Sequence, residues 1–136
     1  MKWYAAHLIM YVKFKKHRQN RYPLWENIVL FKANSEDEAF AKAERRGHLE
    51  EGDCDGSFTW GGKPARWVFA GVRQLISCQD EKRRPTDGTE VTYLELQVST
   101  SKTLKKMMEG KMASVSIVAM GRSAPTQHQR AQVNVH

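Results

Sequence analysis

The side chains with chemical potential in this sequence are a few carboxylates, one arginine and five histidines. Glu26, Arg73 and Glu95 interrupt otherwise apolar stretches. On neighbouring strands they would form a charged cluster. An arginine fork recognises carboxylates and phosphates, and the same three groups serve equally as a structural ion pair that fixes strand register. His7 lies in the first apolar stretch, where Glu26 or Glu95 can face it across a sheet. That pairing permits acid–base work and is more often a structural pair. His17, His48, His128 and His136 show no ligand spacing, so no metal site is expected. In the acidic stretch 49–56, LEEGDCDG, the residues Glu51, Asp53, Asp55, Gly56 and Ser57 fit a calcium-loop register, but the closing bidentate position falls on Gly62. The stretch therefore reads as a solvated turn. Cys54 stands between Asp53 and Asp55, whose negative field disfavours a nucleophilic thiolate. No G-x-S-x-G, P-loop or G-x-G-x-x-G occurs. The expectation is a protein without catalytic residues or cofactor.

The elements that must position these groups follow from apolar periodicity. Residues 66–78, RWVFAGVRQLISC, are apolar at both parities, as a central strand covered on both sides requires. Residues 3–14 alternate, with Tyr4, Ala6, Leu8, Met10, Val12 and Phe14 on one face. Residues 22–32, YPLWENIVLFK, form a second strand, and the short basic connection KKHRQNR makes the two an antiparallel hairpin. Residues 34–47 predict a helix: Ser35 and Glu38 make a capping box, Ala39, Phe40 and Ala43 a narrow apolar stripe, and Gly47 a stop. Gly61-Gly62 is a two-residue hairpin turn between residues 57–60 and 63–78. Residues 89–98 read as another strand, 99–110 as a second helix capped by Ser99 or Ser101, and 113–120 as a final edge strand. The predicted fold is α+β: a mostly antiparallel sheet of four to six strands with two helices on one face. Residues 1–120 form this single domain, and residues 121–136 a loose polar tail.

With 136 residues and 40% hydrophobic content the chain suffices for one real core. No apolar run is long enough to cross a bilayer, and the N-terminal stretch reads as a strand rather than a signal peptide. A cytoplasmic protein without membrane contact is expected. Its two cysteines form no framework, and Cys78 is read as a small buried hydrophobe. The net charge of +7 is uneven: residues 1–33 carry seven Lys/Arg against Glu26 alone, and residues 34–62 carry eight acids against three bases. Such a dipolar surface steers a charged partner or is simply solvated.

If the helices cover the face carrying Tyr4, Leu8, Val12 and Leu94, unbroken alternation puts Trp3, His7, Tyr11, Trp25, Asn27, Phe31, Trp67, Phe69, Arg73, Tyr93 and Glu95 on the other. So large an aromatic surface marks an interface, unless the sheet curls over it as a second core layer. The predicted contact surface is centred on Trp25, Trp67 and Tyr93, with Glu26, Arg73 and Glu95 as polar members. It would serve a protein partner or self-association into a homodimer. The alternative is single-stranded nucleic acid stacked on the same rings, its phosphates held by Lys13, Lys15, Lys16, Arg18 and Arg21. The RNP1 consensus of sheet-based RNA binders is absent.

Several stretches occur together in a recognisable order: KWYAAHLI, YPLWENIVL, SEDEAFAKAE, EEGDCDGSFTWGGKPARWVFAGVRQL and DGTEVTYLELQV. From about residue 2 to about residue 110 the chain resembles the bacterial family called domain of unknown function 4288. The resemblance implies a small bacterial domain. It implies no activity and no catalytic residues.

Overall fold

The computed structural model describes residues 1–78 and 83–119. The fold is α+β. Its elements are β1 (Lys2–Phe14), β2 (Leu24–Ala33), α1 (Glu36–Leu49), β3 (Thr59–Trp60), β4 (Lys63–Ser77), β5 (Leu96–Gln97), α2 (Ser101–Met108) and β6 (Ser116–Ile117). The main sheet is antiparallel with strand order β2-β1-β4-β3, and β5 and β6 form a separate antiparallel pair. The predicted polar tail, residues 121–136, lies outside the described residues.

The alternating face of β1 builds the core. Tyr4, Ala6 and Leu8 pack with Leu75 from β4, Ala33 from β2, and Ala39 and Ala43 from α1. The two alanines let the helix approach the sheet closely. Ser35 caps α1 as expected: its Oγ accepts from the Glu38 N–H at 3.1 Å, and the Glu38 carboxylate accepts from Asn34 N–H at 2.9 Å. Gly47 does not end the helix, which runs on to Leu49. Gly47 is buried because the Phe69 ring lies where its Cβ would be, 2.4 Å away. The glycine serves close packing of helix on strand. Gly61 and Gly62 do form the predicted turn, with φ of +58° and +79°.

Three further expectations are corrected. Unbroken alternation fails in β4, because the β1–β4 register shifts between His7 and Leu8 and again between Ile9 and Met10. The two bulges leave Arg73 and Ala70 without opposite residues. Each exchanges the faces, so Trp67, Phe69, Val72 and Leu75 all lie on the α1 side. Residues 89–98 do not form a long strand; only Leu96–Gln97 is extended in a ladder. The stretch before it lies against the face of the sheet opposite α1, where Gln74 Nε2 donates to the Tyr93 carbonyl at 3.2 Å and Cys78 Sγ lies 3.6 Å from the Val91 carbonyl. Finally, α2 is capped by Thr100 rather than by a serine and buries no residue; the helix that seats on the main sheet is α1.

Candidate interaction surface

The sequence-predicted site residues separate into two groups on opposite faces of the sheet. Trp25 pairs with Met10 and Trp67 with Val12, which places both tryptophans on the α1 face, beyond the C-terminal end of the helix. Asn27 and Phe31 share that face, and Phe31 packs against the core. Tyr93 belongs to the stretch that lies against the other face. The predicted single aromatic surface containing Trp25, Trp67 and Tyr93 is therefore not formed. The reason is physical: β2 is apolar at both parities, so its sequence carries no sign of which parity faces the helix.

The tryptophans form a cluster with two aromatic residues not singled out from sequence. Trp67 is the hub. Its ring centroid lies 4.7 Å from Trp25, 5.7 Å from Phe58 in a stacked arrangement and 6.0 Å from Trp60 edge-on. The acidic loop closes over this cluster and is held by specific bonds. Trp67 exchanges both backbone hydrogen bonds with Gly52, at 2.8 and 3.2 Å. The Glu51 carboxylate accepts the Phe69 N–H at 3.0 Å and sits 3.1 Å from His48 Nδ1. Those two contacts hold the Glu51 carboxyl below the ordinary carboxylate range. Asp53 pairs with Lys15 and accepts the Gly56 N–H at 3.0 Å, which lowers its pKa as well. Two of the carboxylates considered for calcium, Glu51 and Asp53, are thus engaged by donors of the chain itself, at Phe69, His48, Lys15 and Gly56. Trp25 completes the cluster at its open side and remains 54% exposed.

The polar group lies on the other face. Arg73 meets Glu26, and Glu26 Oε2 is 3.7 Å from His7 Nδ1. The fold brings Glu26 and Arg73 together as expected, and of the two carboxylates expected to face His7 it is Glu26 that does. Glu95 is not a member; it leads into β5, where its carbonyl accepts the Val118 N–H at 3.0 Å. His7 is fully buried, and its Nε2 bonds Thr92 Oγ1. Burial lowers the His7 pKa; Glu26 opposes that shift and Arg73 reinforces it. A neutral imidazole sealed beneath residues 91–93 fixes the overlying stretch to the sheet. Gln74, also fully buried, does the same through Tyr93.

Further exposed apolar side chains are Leu24, Ile28 and Leu30 on β2 and Tyr22 ahead of it. Leu24, Ile28 and Leu30 lie on the face opposite α1, flanking Glu26. Among the basic residues, Lys13, Lys16, Arg18 and Arg21 are exposed at the β1–β2 end of the molecule, whereas Lys15 is engaged by Asp53. Inside that loop Gln19 bonds Phe14 N–H at 3.1 Å and the Val12 carbonyl at 2.6 Å, which gives the turn a fixed shape.

Residues 3–93 match the family model described as Domain of unknown function (DUF4288). The matched part holds the main sheet, α1, both clusters and Tyr93, and the chain belongs to that family. No curated protein and no solved structure matches the chain.

Proposed function

We propose that this DUF4288 domain is a non-enzymatic protein-interaction module that self-associates through the apolar surface of β2 and the Trp25–Trp67 pair. One observation carries the reading: Leu24, Trp25, Ile28 and Leu30 are all exposed on one strand, at the margin of the sheet. Leu24, Ile28 and Leu30 open on the face away from α1 and Trp25 on the α1 face, so an interface along this margin would draw on both faces. Exposed apolar side chains of that size mark interfaces, and tryptophan is a preferred anchor. The polar cluster supports a structural role for the most chemically suggestive residues, since His7 is buried and Arg73 meets Glu26. The same reading takes the domain to work in the bacterial cytoplasm without a cofactor; the two unpaired cysteines suit a reducing compartment. No helix among the described residues is long and apolar enough to cross a membrane.

Sedimentation across a concentration series tests this. The wild type is expected as a dimer that persists in high salt, and Trp25→Ser or Leu24→Ser as a weaker one. A wild-type chain that stays monomeric at every concentration contradicts self-association.

A second reading has one observation in its favour. Lys13, Lys16, Arg18 and Arg21 stand exposed at the end of the sheet where Trp25 is also open, a combination that suits single-stranded nucleic acid. Charge reversal at Lys16, Arg18 and Arg21, which leaves the Lys15–Asp53 pair in place, would then abolish salt-sensitive oligonucleotide binding and leave the solution mass unchanged. Retained oligonucleotide affinity in that variant eliminates this second reading.

A further inference from the structure

The backbone of β2 specifies how a partner would meet it. In an antiparallel pair, alternate residues direct both N–H and C=O toward the neighbouring strand, and the residues between direct theirs away. Val12 N–H donates to the Pro23 carbonyl at 2.9 Å, and the β1–β2 register runs without a shift from Tyr11 opposite Leu24 to Lys2 opposite Ala33. The odd-numbered residues of β2 therefore bond β1. Two bonds on the other side of β1 agree: Trp3 C=O accepts from Cys78 and Lys15 N–H donates to Pro64, so odd residues of β1 face β4 and even ones face β2. Leu24, Glu26, Ile28, Leu30 and Lys32 must then present their peptide groups at the open edge.

Those groups have few partners. Among the described residues β2 pairs with no strand but β1, and the Lys32 carbonyl alone is taken from outside, by Lys42 Nζ at 2.6 Å. Four consecutive outward residues remain: Leu24, Glu26, Ile28 and Leu30. Two devices that normally block an edge, a bulge and a proline within the strand, are missing here; its charges are Lys32 near the end and Glu26 at the middle, whose carboxylate is engaged by Arg73.

We infer that the occupant of this edge is a second copy of the chain, paired antiparallel through β2 about a two-fold axis at Asn27. This rests on the self-association reading and gives it a geometry. The self-complementarity is the argument. With the axis at Asn27, Leu24 meets the partner's Leu30 and Glu26 meets the partner's Ile28. The four unpaired residues thus pair with one another and with no others. Opposite residues share a face, so Leu24, Ile28 and Leu30 of both copies form one apolar patch on the side away from α1. On the α1 side Trp25 meets the partner's Val29. An isologous contact of this kind closes at two copies and joins the sheets across the dimer.

The test uses substitutions at Ile28, which is 44% exposed and whose N–H makes no bond to β1. Ile28→Pro removes one outward donor while keeping the β1 ladder. It is expected to melt within a few degrees of the wild type and to lose the dimer in sedimentation. A folded Ile28→Pro protein that remains as dimeric as the wild type overturns edge pairing while leaving self-association by another surface intact. A wild-type monomer overturns both. Should Ile28→Pro fail to fold, the charge pair Ile28→Lys and Ile28→Glu gives the answer. At this register residue 28 faces the partner's Glu26 twice by symmetry. Ile28→Lys is therefore expected to dimerise more tightly than Ile28→Glu by on the order of tenfold. Equal dimer affinities for the two variants overturn the register. Protection of the β2 edge that does not vary with protein concentration would show a different occupant and overturn the inference.

Discussion

The two margins of the main sheet are treated oppositely. Along the first part of the margin of β4, residues 63–69, the outward peptide groups find partners within the chain: Lys63 and Pro64 pair with β3, Ala65 N–H meets the Phe58 carbonyl, Trp67 exchanges bonds with Gly52, and the Phe69 N–H is accepted by the Glu51 carboxylate. Two bulges twist the strand beyond them. Along the margin of β2, four successive residues have no such partners among the described residues, and three of them carry exposed leucine or isoleucine. Open strand edges are a hazard that folds normally suppress. A chain that commits a whole acidic loop to closing one edge and leaves the other apolar and straight is organised to pair there. The acidic loop is thus accounted for by closure of that margin, and Lys15 of the basic hairpin end by its anchoring to Asp53.

The contrast can be broken from either side. The largest effect is expected from Asn27→Pro. Asn27 bonds inward to Leu8, which is fully buried, so the substitution leaves a buried carbonyl without its donor. A loss of about 2–3 kcal/mol in chemical denaturation is expected, against little change for Ile28→Pro one residue along. Equal losses at the two positions would mean that the inward and outward phases are wrongly assigned. Next, Gly47→Ala inserts a methyl where the Phe69 ring already lies and is expected to cost about 1–3 kcal/mol, because the ring must be displaced from its seat on the helix. Unchanged stability there would show that α1 does not seat on β4 as described. Glu51→Ala removes the acceptor of one outward N–H on β4 and is expected to cost about 1 kcal/mol. It also opens the closed margin, so added association at high concentration is the second readout.

The smallest effect is a pH dependence that separates the two faces. Burial holds the His7 pKa below its ordinary value of about 6.5, so the unfolded chain takes up a proton that the folded one refuses. The contribution to stability is complete above about pH 6.5 and is lost as the pH falls from there toward the folded-state pKa. Thermal melts between about pH 7.5 and 5.5 should show this decline in the wild type and a flatter profile in His7→Gln. An identical slope in both would remove His7 as its source. The carboxylates with lowered pKa, Glu38, Glu51 and Asp53, act at more acidic pH and do not interfere.

Much of this was legible in the sequence. β1, β2, α1 and the Gly61-Gly62 hairpin follow from alternation, a serine cap and turn chemistry, and those signals are local. The Glu26–Arg73 contact followed from two charges interrupting apolar strands. What failed was non-local. The bulges at Ala70 and Arg73 leave no mark in a stretch that is apolar at both parities, so the faces beyond them were exchanged. Residues 89–98 have strand propensity, yet the preceding margin of β4 was already taken by residues 51–60. That stretch covers the His7 face instead. The double apolarity of β2 was itself the available signal: a strand buried on both faces should be central, and this one stands at an edge.

Amide hydrogen exchange along β2 tests the central claim most directly. If β2 pairs with a second copy, the N–H groups of Glu26, Ile28 and Leu30 exchange slowly at high protein concentration and quickly on dilution. Those of Asn27, Val29 and Phe31, bonded to β1, stay slow throughout. If the even-numbered amides exchange quickly at every concentration while the odd ones remain protected, the edge is open in solution and the account is contradicted.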